Sequence, residues 1–328
     1  MPVSRSPVSS VRLVDHLGED HLRRALEHDV RTGLTATPKH LPPKWFYDAR
    51  GSDLFSRITR LPEYYPTRRE TAILREHAGD IAARAAAGTL VELGSGTSEK
   101  TTLLLDALTA KGLAAYTPVD VDATTLLSAA RRLGIRYPGL TVQPVRADFE
   151  HQLAGLPRST PRMTAFLGGT IGNLDPAARR AFLGALRATM SRGDTFLLGA
   201  DLVKDTGRLV AAYDDAAGVT AEFNRNVLHV INHELDADFV PDDFAHVARY
   251  DETAGWIEMR LRATRPMRVR VRALGLEVSF ADGEQMRTEI SAKFRLPGLR
   301  AELTAAGLAV DHIYTDPAGD FALVLARA

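Results

Sequence analysis

Apolar side chains along this chain fall into two alternating rhythms. Leu13, Leu17, Leu22, Leu26 and Val30 recur at roughly helical spacing and predict a helix over 11–31. Three prolines within residues 35–43 force an extended loop, which runs into the aromatic cluster Trp45-Phe46-Tyr47. A short helix over 51–60, capped by Ser52, and a long helix from a Thr67 cap to about residue 87 follow. From residue 89 the rhythm changes to strand, turn, helix, strand. Strands are expected at 90–93, 115–121, 141–147, 163–167 and 195–199, with helices at 98–110, 123–133 and 176–190. Such alternation predicts a parallel, doubly wound α/β sheet.

The alternation stops after Leu202. Residues 205–217 and 218–235 read as helical, and 244–280 as antiparallel strands, with Trp256 to Leu261 alternating. Arg268, Arg270 and Arg272 share one strand face, and a solvated face is the simpler reading than a nucleic-acid patch. From Leu299 the parallel pattern resumes, with a helix to residue 306 and strands at 310–315 and 321–326. The expected organisation is a flexible tail (1–10), a discontinuous α+β substrate-binding domain (11–66 and 204–293), and a cofactor domain (67–203 and 294–328).

Composition narrows the function. The 328 residues exceed one ordinary domain. With 41 basic and 41 acidic residues, the chain lacks the positive excess of a broad nucleic-acid surface. It contains no cysteine, which excludes disulfides, thiolate metal sites and cysteine nucleophiles and fits a cytoplasmic protein. No apolar run is long enough for a membrane span, and residues 1–10 lack the apolar core of a signal peptide. The ten histidines show no metal-ligand spacing, so no metal is expected.

Candidate chemistry begins at Glu92-Leu93-Gly94-Ser95-Gly96-Thr97, which ends a strand and opens a helix. A dinucleotide fingerprint would need a third glycine where Glu99 stands, and a glutamate would repel a pyrophosphate. A cationic sulfonium cofactor has no such objection. Asp120 ends the second strand, where it can take ribose hydroxyls, with Asp122 as the alternative. Asp148 and Phe149 end the third, where they can meet an adenine. All these strand ends lie on one rim of a parallel sheet. S-adenosyl-L-methionine is therefore the expected cofactor.

Longer motifs carry a resemblance. They are Leu41-Pro42-Pro43-Lys44-Trp45-Phe46-Tyr47-Asp48, Leu61-Pro62-Glu63-Tyr64-Tyr65-Pro66-Thr67-Arg68, residues 91–100 and Thr170-Ile171-Gly172-Asn173-Leu174. Asp201-Leu202-Val203-Lys204-Asp205, residues 212–220 and Thr288-Glu289-Ile290-Ser291 continue them. From about Leu34 to the C-terminus the chain resembles the L-histidine Nα-methyltransferases of ergothioneine biosynthesis. It departs from them at Gly169, where serine is expected, and Ala292, where cysteine is expected.

The resemblance implies a Rossmann-like class I methyltransferase that trimethylates the α-amino group of L-histidine to hercynine. It implies that Tyr64, Asn173 and Tyr213 hold and position the amino and carboxylate end. Glu289 and Ser291 would hold the imidazole beside Met259, with Tyr47 and Phe55 as walls. Gly94, Lys100, Asp120, Asp148 and Phe149 match the cofactor positions, Lys100 for the cofactor carboxylate. No macromolecular partner is implied, and a monomer is expected.

Taken alone, these residues have simpler readings. Tyr64, Tyr213 and Met259 read as core, Glu289 and Ser291 as a solvated strand edge, and Asn173 as a turn residue. Rival functions are methylation of another amino acid or small amine, and a non-catalytic sensor of S-adenosylmethionine or histidine.

Overall fold

A computed structural model describes residues 12–18, 20–159 and 161–328. The expected tail at 1–10 lies outside the described residues. Strand β1 (Val14–Asp15) precedes helix α1 (His21–Thr35), so the helix expected over 11–31 starts ten residues later than its leucines suggest. Helix α2 (Ala49–Ile58) is capped by Asp48, whose Oδ1 accepts from the Gly51 N–H at 2.7 Å, and not by Ser52. Helix α3 (Pro66–Ala85) starts at a proline, which lacks only an N–H that a first turn leaves unpaired; Thr67 lies inside it.

The central sheet is built from β2 (Thr89–Leu93), β3 (Ala115–Asp120), β4 (Thr141–Val142), β5 (Val145–Arg146), β6 (Arg162–Phe166) and β7 (Thr195–Asp201). Helices α4 (Thr101–Thr109), α5 (Ala123–Arg136) and α6 (Pro176–Ala188) connect them. After β7 come α7 (Thr206–Ala211) and α8 (Val219–Leu235). The strands β8 (Phe244–Asp251), β9 (Trp256–Ala263), β10 (Met267–Val271), β11 (Leu276–Phe280) and β12 (Gln285–Ala292) follow. Helix α9 (Leu296–Ala305) leads to β13 (Ala309–Thr315) and β14 (Phe321–Arg327).

Spatial order in the large sheet is β1-β5-β3-β2-β6-β7-β14-β13, with β4 also beside β3. Pairing is parallel from β1 through β7. The last two strands are antiparallel, which corrects the expectation that the parallel pattern resumes. The period of two divides the core. On β7 and β14, Phe196, Leu198, Ala322 and Val324 pack toward α6 and α9, while Leu197, Leu323 and Leu325 pack toward α3 and α4. Both faces are covered, so the strands read as continuous apolar runs.

A second apolar core joins α1, α2 and α8 to the sheet β12-β9-β8 and the hairpin β10-β11. The arginines of that hairpin meet acids on the surface: Arg268 and Arg270 face Glu277, and Arg272 faces Asp236 and Asp238. Among the described residues no helix is long and apolar enough to cross a membrane.

Candidate active site

The C-terminal ends of β2, β3, β5, β6 and β7 share one rim, where the order of the chain reverses between β2 and β6. Open parallel sheets bind ligands in that crevice. The turn after β2 has left-handed backbone at Gly94 (φ +62°) and Gly96 (φ +50°). Asp120 Oδ2 accepts from the Gly96 N–H at 2.9 Å, and its Oδ1 accepts from the Val121 N–H at 2.7 Å. Burial raises the Asp120 pKa, against the lowering effect of these amides. Asp122, the alternative, caps α5 by accepting from the Thr124 N–H at 2.9 Å.

A Cβ added at Gly94 would lie 3.7 Å from the Phe149 ring, so the glycine keeps a slot open above that ring. Phe149 is propped edge-on by Phe166, with centroids 5.1 Å apart. Ser95 Oγ is buried in the same turn without a partner among the described residues. An open slot, an orphaned hydroxyl and a carboxylate with free lone pairs suit a nucleoside with a polar tail. The residues present thus fit S-adenosylmethionine.

Other acids here are engaged. Asp148 Oδ1 accepts from the Glu150 N–H at 2.9 Å, and Oδ2 lies 3.0 Å from His151 Nδ1. Lys100 pairs with Glu70, a fully buried acid that also accepts from the Gly168 N–H at 2.7 Å. Glu92 turns away from the crevice. Its carboxylate takes the hydroxyls of Thr101 and Tyr116, and burial lifts its pKa to about 7. Glu92 therefore anchors the turn to α4 and β3.

Above the rim stands a wall of aromatic rings. Tyr47 meets Phe55 edge-on at 5.6 Å, Phe55 meets Tyr64 at 6.1 Å, and Tyr64 meets Tyr213 at 6.3 Å. Desolvation holds all three phenols well above the ordinary tyrosine pKa, so they stay neutral. Tyr47 is 40 % accessible, and yet its hydroxyl is strongly desolvated and feels both Glu289 and Asp120. Tyr47 thus stands between the strand-end crevice and β12, near enough to both acids to feel their charge.

Strand β12 supplies the opposite side. Glu289 pairs in register with buried Met259 on β9. Gly172 lets the 170–173 turn press on β12, since a Cβ there would sit 3.0 Å from the Ala292 carbonyl oxygen. That contact carries Asn173 to Glu289. In the amide orientation its neighbours require, Asn173 Nδ2 donates to Glu289 Oε1 and to the Ile290 carbonyl, both at 3.2 Å. Burial pushes the Glu289 pKa up to about 7, opposed by Lys293. Ser291 Oγ lies 2.7 Å from the Tyr213 hydroxyl. Phe55, Tyr64, Asn173, Tyr213, Met259, Glu289 and Ser291 therefore gather around one space, with Tyr47 toward the cofactor side.

Sequence reasoning missed the supports. Lys293 Nζ donates to Tyr213, Ser291 and Asp201, and Lys204 and Tyr65 also reach Asp201. His246 Nε2 lies 2.8 Å from the Tyr213 carbonyl oxygen; burial lowers its pKa, so it is a neutral donor there. The motif from Asp201 to Lys204 was visible in the sequence, but its meeting with Lys293 was not.

Comparison with known proteins decides the family. The family model described as histidine-specific methyltransferase, SAM-dependent, matches residues 26–328. The chain belongs to this family. It is an S-adenosylmethionine-dependent methyltransferase, as its motifs implied. A histidine N-alpha-methyltransferase of Mycolicibacterium smegmatis is 58% identical over 97% of this chain and 99% of its own length. One from Mycobacterium tuberculosis is 56% identical over 96% and 99%. A 4-dimethylallyltryptophan N-methyltransferase of Claviceps purpurea is 30% identical over 59% of this chain and 60% of its own.

Proposed function

We propose that this methyltransferase transfers three methyl groups to the α-amino nitrogen of L-histidine, forming trimethylhistidine (hercynine) for ergothioneine biosynthesis. The observation that carries the reading is the meeting of Glu289, Asn173 and the Tyr213–Ser291 hydroxyl pair in one desolvated space. Family membership and the two mycobacterial relatives support it.

S-adenosylmethionine, when bound, supplies an electrophilic methyl on a sulfonium. The remaining work is positioning. Asp120, Ser95 and the Phe149 face would hold the cofactor, with Lys100 and Asp148 reaching it from either side. Glu289 accepts an imidazole N–H, which an apolar ring cannot offer. Asn173, Tyr64 and Tyr213 orient the amino acid end, so that the nitrogen lone pair points along the Tyr47 side of the cleft. Neutral, strongly desolvated phenols are poor bases, so the amine reacts once it has lost its proton to water. Methylation builds a cation that tyrosine faces stabilise by roughly 0.5–2 kcal/mol. The third methyl removes the last lone pair, and the reaction stops. The lobe of α1, α2, α8 and β8–β12 carries the substrate specificity in this reading.

Mass analysis of products from histidine and S-adenosylmethionine tests this. Mono- and dimethylhistidine should both be consumed, with trimethylhistidine as the end point. Ring methylation, or arrest after one methyl, would contradict the proposal.

A further inference from the structure

Lys293 belongs to no recognised motif of the chain, yet its side chain is wholly buried. An ammonium has three donors. Lys293 uses all three: Asp201 Oδ2 at 2.8 Å, the Tyr213 hydroxyl at 2.9 Å and Ser291 Oγ at 2.9 Å. Each hydroxyl therefore accepts one bond from the lysine. The two are also 2.7 Å apart, so one donates to the other.

That count limits the pair to two arrangements. The hydroxyl that accepts from its partner has both lone pairs filled, and its own hydrogen has no acceptor among the described residues. The other keeps one lone pair. The pair thus shows the cleft one donor and one acceptor, and neither hydroxyl can change role alone. Glu289, accepting from one imidazole nitrogen, leaves the other nitrogen as an acceptor. In the proposed binding mode Ser291, two residues from Glu289 on β12, donates to that nitrogen and accepts from Tyr213, which keeps one lone pair toward the cleft.

We propose that Lys293 is a positioning residue for substrate recognition. It acts through Tyr213 and Ser291 by locking their hydrogen bonds into this complementary pair, with Asp201 as its counterion. The inference rests on histidine being the substrate. Without Lys293 each hydroxyl would regain a free lone pair and could rotate independently, so the match to a neutral imidazole would no longer be enforced.

The test is a mutant cycle. Lys293→Met removes the lysine while Asp201 keeps Lys204 and the Tyr65 hydroxyl, so no acid is stranded. This variant should bind S-adenosylhomocysteine as the parent does, while kcat/KM for histidine falls at least tenfold, mainly through KM. Tyr213→Phe should lower kcat/KM at least fivefold in the parent and less than twofold in the Lys293→Met background, because the locked pair is already lost. Additive losses, or a parental KM in Lys293→Met, would overturn the proposal. If that variant does not fold, the polar Lys293→Gln decides by the same cycle, and additive losses there would be equally fatal. A parent enzyme that binds cofactor but never methylates histidine would instead refute the substrate reading.

Discussion

Replacing Glu289 with glutamine should stabilise the ligand-free enzyme while impairing it as a catalyst. Burial lifts this acid from the usual 4.5 to about 7. A tenfold change in a dissociation constant corresponds to about 1.4 kcal/mol, so keeping Glu289 ionised in the folded state costs roughly 3 kcal/mol. Glu289 is only half-buried by accessible area, so solvent screening makes that a ceiling. The sign follows from linkage. Below pH 4.5 the acid is protonated in folded and unfolded chains alike, and glutamine changes little. Between pH 4.5 and 7 the unfolded chain releases the proton and the folded one keeps it, so the parent loses stability as pH rises. Above pH 7 the full cost is present. Glutamine has the same shape and no charge, so the advantage of Glu289→Gln should grow from near zero at pH 4.5 to its maximum by pH 8. That is a gain of a few degrees in the midpoint of thermal unfolding. Meanwhile kcat/KM for histidine should drop tenfold or more, since a bond to a charged acceptor is worth about 1.5–3 kcal/mol. Scanning calorimetry of both proteins across this pH range is the assay. Parallel curves with no widening gap would refute the claim that burial holds the Glu289 carboxyl above its ordinary range.

Asp120→Ala should weaken S-adenosylhomocysteine binding by about 1.5–3 kcal/mol in calorimetric titration, and an unchanged affinity would remove Asp120 from the cofactor site. Asp48→Ala removes both the α2 cap and a 2.7 Å anchor to Asn226, so urea unfolding should show a loss of about 0.5–2 kcal/mol. Because α2 carries Phe55 and follows Tyr47 directly, the same variant should raise KM for histidine; an unaltered KM would detach these rings from the substrate wall.

Local chemistry was readable from the chain. The strand, glycine turn and helix from Thr89 onward stand where the residues predict them, because a left-handed turn and apolar periodicity are written within a few residues. The third strand, expected over 141–147, is split by Gln143-Pro144, since proline cannot donate to a ladder. The reversed direction of β14, inserted between β7 and β13, was not legible, because pairing partners such as Leu325 and Leu197 are remote in sequence. Lys293 looks like an ordinary surface lysine until it meets Asp201, 92 residues away. Tyr213 and Ser291, 78 apart, came to attention only through their motifs. Ser52 was misjudged because the helix begins one turn earlier, beside a better cap.

The chain leaves the large sheet after β7 and returns to it after β12 at nearly the same point. Leu202 and Phe294 bridge there, and the Phe294 N–H donates to the Asp201 carbonyl oxygen at 2.8 Å. Some ninety residues thus form a closed excursion, clasped at its base. In evolutionary terms, such a clasp insulates one part of a gene from another. Substitutions accumulating inside the excursion can retune which ring is read, while the strands beneath keep their register. Exchange of the segment between relatives would cut the chain at only two neighbouring positions, and a lineage could acquire a new substrate without rebuilding its cofactor half.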